Sequence, residues 1–355
     1  MTPEFELTAE CCRWAFSGRD ATKVHALCRM VDWPRFQRTA LFHRVNGLAW
    51  NCLYSIGADV PPAVARSLSG ESRQIAASNL RIAVEAGELR AALECAEMRP
   101  LFVKGLALAT LAYPKPMLKA GWDIDLLVDA DELSGAAAEL DARSYQRIVP
   151  PPSTDLAKWH AHRKESVWAK ADQRLYVELH SRLTENRDLI PTIGIDSPRQ
   201  EVEILRGVSL STLGRDELFA YLCVHGASSL WFRLKWITDL AAVLHPAKPT
   251  EIERLYCRSQ KLGAGRAAAQ ALLLADAIYG TLGDASDLRE QLLRDPASRW
   301  LLSQALEQLA GRPDPVEPTS RPLGTLRMHL TQLALLPGLR FKAREFARQA
   351  RAALG

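Results

Sequence analysis

Apolar positions change their spacing twice along the chain. Over residues 72–97, Ile75, Leu80, Val84, Leu89 and Leu93 recur at the three-to-four-residue interval that turns one helix face toward a core. Ala, Leu, Arg and Glu dominate the first 98 residues, which read as helices with a break at Pro61-Pro62. Arg99-Pro100 closes the last of them, because the residue before a proline is pushed out of the α region. From there the pattern shortens. Leu101-Phe102-Val103 suits a buried strand, and residues 106–113 a short helix stopped by Pro114 and Pro116. Residues 122–128 suit a second strand and residues 131–143 an Ala-rich helix. Pro150-Pro151-Pro152 is an extended link, and residues 166–170 and 175–183 read as strands joined by a turn at Ala171-Asp172-Gln173-Arg174. After Asn186 helical spacing returns, strongest over residues 216–225 and 231–244, and continues through residues 251–310. Residues 312–322 hold four prolines and read as a linker or ordered loop, and a final helix carries Arg340, Lys342, Arg344, Arg348 and Arg351.

These runs predict an α+β protein. A strand-bearing block over residues 99–185 follows an N-terminal helical region (residues 1–98) and precedes a C-terminal helical domain (186–311), with a linker and terminal helices over residues 312–355. Composition adds little that conflicts. The 355 residues are 48% hydrophobic and 24% charged, enough apolar material for a sizeable core and unlike a disordered chain. Length alone predicts about two domains. The +4 balance of 45 basic and 41 acidic residues is too even to imply a nucleic-acid or membrane partner by itself. Seven scattered cysteines form no CxxC pair, which argues against a zinc ribbon or redox motif and for reduced, mostly buried thiols. The opening residues carry no signal-peptide core. The most apolar later stretch, residues 267–278, is interrupted by Gln270 and Asp276 and falls short of the roughly 20 residues a membrane span needs. A cytoplasmic location and no membrane partner are expected.

The chemistry concentrates at Gly121-Trp122-Asp123-Ile124-Asp125-Leu126-Leu127-Val128. Strand alternation puts Asp123 and Asp125 on one face and Trp122, Ile124, Leu126 and Val128 on the other, apolar one. Two adjacent carboxylates on one face repel unless a cation sits between them, and a divalent metal supplies that charge. Asp-x-Asp alone also fits an exposed loop; the apolar strand around it is what asks for a reason. Lys104-Gly105, between strand and helix, can bring backbone and a positive charge close to phosphates, or can be a surface lysine beside a turn glycine. In Tyr176-Val177-Glu178-Leu179-His180, Glu178 and His180 share a face. Glu178 could complete a metal site, accept a proton from an attacking hydroxyl, or form a cross-strand ion pair.

Taken in order, Phe102-Val103-Lys104-Gly105, Tyr113-Pro114-Lys115-Pro116, Lys119, Asp123-Ile124-Asp125-Leu126-Leu127-Val128 and Val177-Glu178-Leu179-His180 resemble the bacterial uncharacterised nucleotidyltransferase family of the DNA polymerase β-like superfamily. The resemblance continues at Leu222-Cys223-Val224-His225-Gly226-Ala227 and Arg233-Leu234-Lys235-Trp236-Ile237-Thr238-Asp239-Leu240, and so touches most of residues 72–245. It implies a small mixed β-sheet nucleotidyltransferase core flanked by large N- and C-terminal helical regions. It also implies Mg²⁺ or Mn²⁺ and a nucleoside triphosphate, with ATP as the working expectation. The implied reaction moves a nucleoside monophosphate to a hydroxyl on a small molecule, peptide or RNA. Asp123, Asp125 and Glu178 match the catalytic and metal-binding carboxylates, and Lys104, Gly105, Lys119 and His180 stand at nucleotide-binding positions. Three departures stand out: Lys104-Gly105 replaces the superfamily's Gly-Ser, Lys119 replaces a common arginine, and Trp122 replaces a small residue. The first two favour the alternative, a non-catalytic nucleotide-binding or interaction protein that kept the fold; a toxin-like enzyme that modifies RNA or protein is a third reading.

Other residues carry paired readings. Trp122 belongs to the core or stacks on a base. His160 and His162 lie in a basic stretch read as a solvated loop, while Lys164 or Lys170 could reach phosphates. His180 orients the site or hydrogen-bonds within the sheet. His225 reads as a core histidine, and Asp239 as an ion-pair partner of Lys235 unless both line the acceptor side. The C-terminal arginines form a solvated face or a surface for an anionic partner.

Overall fold

In the computed structural model, which describes residues 1–17, 21–170, 174–311 and 324–354, the first 98 residues form five helices. These are α1 (Pro3–Ser17), α2 (Ala21–Cys28), α3 (Trp33–Phe42), α4 (Asn46–Ser55) and α5 (Pro62–Cys95). Then come β1 (Leu101–Phe102), α6 (Gly105–Ala112), a short 3-10 turn Pro116–Leu118, β2 (Ile124–Leu127), α7 (Leu133–Ala142), β3 (Gln146–Val149), α8 (Leu156–His162), β4 (Glu165–Lys170) and β5 (Leu175–His180). A hairpin follows, β6 (Arg199–Leu205) and β7 (Val208–Leu213). The remaining elements are α9 (Arg215–Ser228), α10 (Leu234–Leu244), α11 (Pro249–Lys261), α12 (Arg266–Tyr279), α13 (Ser286–Leu293), α14 (Pro296–Ala310), α15 (Leu326–Gln332) and α16 (Leu339–Leu354). The expected turn at residues 171–173 and linker at 312–322 lie outside the described residues.

The expected α+β class with a small mixed sheet is what the chain builds. Five strands run in the order β1-β2-β5-β4-β3. β2 is parallel to β5, and the other three pairings are antiparallel. One face of β2 and β5, with Ile124, Leu126, Val128, Val177 and Leu179, packs under Ile82, Leu89 and Leu93 of α5 and Leu140 of α7. The opposite face holds Asp123, Asp125 and Leu127; Leu127 is sunk in the larger core around α9 and α12, and the aspartates lie toward its open edge. Burial on both sides explains why β2 reads as a nearly continuous apolar run broken only by carboxylates.

Several expectations are corrected. The buried stripe of α5 is Ile82, Ala86, Leu89 and Leu93, while Leu80 and Val84 are exposed, because the 34-residue helix serves the N-terminal core with Val64 and Leu68 and the sheet with its second half. The hairpin β6-β7 interrupts the stretch after Asn186 that reads as helical; Val202 and Ile204 alternate with Glu201 and Glu203 and pack beneath α5. β3 and α8 were not expected either. Trp122 lies before β2 and is 58% exposed, so it is not a core residue. Gly226 answers to close packing, since a Cβ there would stand 2.3 Å from the ring of buried Trp231. Among the described residues no helix is long and apolar enough to cross a membrane.

Candidate active site

Parallel pairing of β2 with β5 sets Asp125 directly opposite Glu178. Asp123 stands two residues before Asp125 on the same face. The position of Asp125 is fixed from the other side too, since Val103 N–H donates to its carbonyl at 3.1 Å. His180 is fully buried, with Nε2 3.4 Å from Asp125 Oδ1 and 3.6 Å from Glu178 Oε2, and Nδ1 3.4 Å from Glu165 Oε2. One donor atom each from Asp125, Glu178 and His180 falls within 4.8 Å of the others. Lys104 reaches in from the start of α6, its Nζ 2.6 Å from Asp125 Oδ1.

The electrostatics follow from this crowding. Burial pushes the Asp125 carboxyl up, yet Lys104 and His180 outweigh it and hold Asp125 well below the usual carboxylate range. Asp123 is raised to about 6 by burial and by the charges of Asp125 and Glu178, against the weaker pull of Lys104 and Lys235. Burial and Lys164 lower His180, but the neighbouring carboxylates of Asp125, Glu178 and Glu165 carry it above its ordinary value. The close group Asp125, Glu178 and His180 offers two carboxylates and an imidazole, with Asp123 bordering the same cleft, and carboxylate oxygens are the donors Mg²⁺ or Mn²⁺ takes, so the residues present fit a divalent cation.

The turn that carries Lys104 needs glycine next to it. Gly105 has φ +59°, and a Cβ there would face the Asp123 carbonyl at 3.6 Å. The N-terminus of α6 therefore opens beside the carboxylates. Lys119 is buried against Asp239 of α10, Nζ to Oδ2 3.2 Å. Asn79 of α5 fixes its loop by donating to the carbonyls of Met117 and Lys119, both at 2.8 Å.

Lys104, Gly105, Lys119, Asp123, Asp125 and Glu178 all border one cleft of about 410 Å³, while His180 lies in the wall behind Asp125 and Glu178. Arg44, Lys119 and Lys235 border the same cleft. Burial and the neighbouring Lys119 and Arg44 bring Lys235 down to about 8 although Asp123 and Asp239 oppose them. Arg44, with φ +56° after α3, is a lining residue that no periodicity marks. Neither do Asn186, Glu345 and Arg348, which come from far along the chain.

Four paired readings now resolve. His225 is not a core histidine; it borders the cleft, and burial holds it neutral. Asp239 is tied to Lys119 and to Tyr113, whose hydroxyl donates to Oδ1 at 2.8 Å, rather than by an ion pair to Lys235. His160 is buried in α8 between the hydroxyls of Ser181 (2.9 Å) and Ser166 (3.1 Å), not in a solvated loop. Lys170 pairs with Glu85 at 2.7 Å, away from the cleft, whereas Lys164 borders the cleft and pairs with Glu165.

No curated protein matches the chain. A family described as "Uncharacterised nucleotidyltransferase" matches residues 29–280, a span that contains Asp123, Asp125, Glu178, Lys104-Gly105, Arg44, Lys119 and Lys235. With an acidic strand pair, a glycine turn at a helix start and a match over most of its length, the chain belongs to that nucleotidyltransferase family.

Proposed function

We propose that the protein is a Mg²⁺- or Mn²⁺-dependent nucleotidyltransferase that moves a nucleoside monophosphate from a triphosphate to an acceptor hydroxyl. One observation carries this reading: Asp125, Glu178 and His180 bring ligand atoms within 4.8 Å of one another at a cleft that Asp123, Lys104, Lys119 and Lys235 also border. A cation bound there would neutralise charge on the phosphates and on the pyrophosphate leaving group. Asp125 and Glu178, with Asp123 at the same cleft, would supply its oxygen ligands. Lys104 and the free N–H groups of Gly105 and the first turn of α6 face the phosphates, and Lys235 and Lys119 border the same cleft. Glu178, the most exposed of the strand pair at 25%, is placed to take the acceptor proton. The acceptor oxygen bonds to the α-phosphorus, the bond to the bridging oxygen breaks, and pyrophosphate departs. Surrounded by its partners, His180 holds Asp125 and Glu178 at a fixed separation.

Pyrophosphate release measured with each Mg²⁺–nucleotide and a panel of hydroxyl acceptors tests the reading. Turnover that disappears in Asp123→Ala and Asp125→Ala supports it. A second reading, nucleotide binding without chemistry, draws on Lys104, whose ammonium already neutralises Asp125. Calorimetric nucleotide binding that is intact in both aspartate variants, with no turnover in any protein, would favour that second reading.

A further inference from the structure

A second, wider groove of about 1040 Å³ adjoins the acidic cleft. Lys158 and Trp159 of α8 line it with Arg163 just past the helix end, as do Arg182 and Arg187 after β5 and Arg344 and Arg351 of α16. Glu185, Asn186 and Arg348 border both the groove and the cleft, so the two are continuous.

Seven Lys and Arg side chains face the groove against two carboxylates, Glu185 and Asp188. Arg344 is held by Asp188 at 2.8 Å, Arg348 by Glu345 at 2.5 Å, and Arg182 reaches Glu185 at 3.8 Å. Among the described residues no acidic side chain pairs with Lys158, Arg163, Arg187 or Arg351. Burial and the neighbouring Arg187 lower the Arg182 guanidinium from its usual range, the mark of like charges packed together. In a chain whose net charge is only +4, such a concentration calls for a polyanion. Trp159 decides its chemistry. Its Nε1 donates to the Glu165 carbonyl at 2.7 Å, which fixes the ring, and the Arg163 guanidinium lies 5.6 Å over it. Basic side chains beside a fixed aromatic plane are how single strands are gripped, by backbone charge and base stacking together. An acidic peptide would use the charges and leave the ring idle.

We propose that this groove holds the backbone of a single-stranded nucleic acid and leads its terminal hydroxyl into the acidic cleft, so that the acceptor is a polynucleotide end. The product is a strand longer by one nucleotide, plus pyrophosphate. The extension step rests on the transfer reading above; strand binding does not.

Fluorescence anisotropy with short labelled RNA and DNA single strands, an RNA duplex and a poly-glutamate peptide tests the proposal across a salt series. Single strands should bind more tightly than the duplex or the peptide, with affinity falling steeply as salt rises. Lys158→Glu combined with Arg351→Glu reverses one exposed charge on each of two elements that line the groove and should weaken binding about tenfold or more at moderate salt. Arg187→Gln, a milder change, should weaken it less and lower the salt slope. Asp125→Ala should fail to extend strands. Equal binding by the double charge reversal, or peptide binding as tight as strand binding, overturns the proposal. Turnover on another acceptor without strand binding overturns it and leaves nucleotidyl transfer standing. Groove-dependent strand binding with no turnover on any acceptor sinks the transfer reading and, with it, the acceptor half of this proposal.

Discussion

The Tyr113 hydroxyl donates to Asp239 Oδ1 at 2.8 Å across 126 residues of chain, while Lys119 takes Oδ2 at 3.2 Å. One buried carboxylate therefore ties together the residue after α6, the loop that leads to Asp123, and α10, which carries Lys235. Burial and Asp239 push the Tyr113 phenol well above its ordinary range, so it stays a donor at every working pH. The loop before Asp123 and the helix that carries Lys235 are thus tied to each other through one buried carboxylate.

Tyr113→Phe removes one partner of a buried acceptor and should cost about 1–2 kcal/mol in chemical denaturation. Lys119→Met leaves the Asp239 charge buried with only the phenol, and the loss should be larger, about 3 kcal/mol. If Tyr113→Phe melts as the unaltered protein does, the bridge does not hold the loop and the helix together.

Burial and the charges of Asp125 and Glu178 make Asp123 the strained member of the cluster. Asp123 is ionised at neutral pH beside Asp125 and Glu178, whose charges raise its pKa. Asp123→Asn should therefore raise the melting temperature by a few degrees in chelator, and Mg²⁺ should stabilise the unaltered protein more than the variant. Pyrophosphate release should be lost. A variant that melts lower in chelator would contradict the charge clustering.

Much of this site is visible in the sequence because it rests on local rules. Alternation places Asp123 and Asp125 on one face, and Glu178 with His180 on another, before any pairing is known. Pairing then brings the two sets together through the parallel register Asp125 to Glu178, which no single segment encodes. The other lining residues are a different case. Arg44, His225 and Lys235 reach the cleft through helix packing, and their neighbours in sequence resemble ordinary core or surface positions. The hairpin β6-β7 was missed although Glu201-Val202-Glu203-Ile204 alternates, because its short run sits among long helical stretches. His160 shows the limit from the polar side: a basic stretch hides one buried histidine whose two serine partners come from β4 and the residue after β5.

His43 gives the fold a dependence on acid. It is 1% exposed, and its Nδ1 accepts from the Leu234 N–H at 3.1 Å at the start of α10. Burial and the nearby Arg233 lower its pKa to about 3. The unfolded chain takes up a proton near pH 6.5 and the folded chain does not, so this contribution is complete above that pH and is lost as pH falls toward 3. Between pH 7.5 and 5 the loss from this one group should approach about 2 kcal/mol. Urea unfolding of the unaltered protein and of His43→Gln at both pH values checks it. The variant, lower in stability at neutral pH, should show a smaller fall, and parallel falls would mean that His43 is protonated in the folded state.

Lys104 separates the two readings of the cleft. Its ammonium lies 2.6 Å from Asp125 Oδ1, and this carboxylate raises its pKa well above the ordinary value in spite of burial. In a protein that only binds nucleotide, Lys104 is the permanent counter-charge of Asp125, and Mg²⁺ has little to add. In a working transferase Lys104 neutralises Asp125 before the cation binds and then meets phosphate. Lys104→Met leaves Asp125 buried without its partner and should destabilise the metal-free protein by about 3 kcal/mol. The readings differ in what restores it. For the transferase, Mg²⁺ should recover most of the lost stability while the KM for the nucleotide rises tenfold or more, since the cation replaces the charge on Asp125 but not the contact to phosphate. Melting curves in chelator and in Mg²⁺, set beside nucleotide titrations, give both numbers. A variant that Mg²⁺ does not rescue would show that the carboxylates do not share a cation, and the catalytic reading would fall with it.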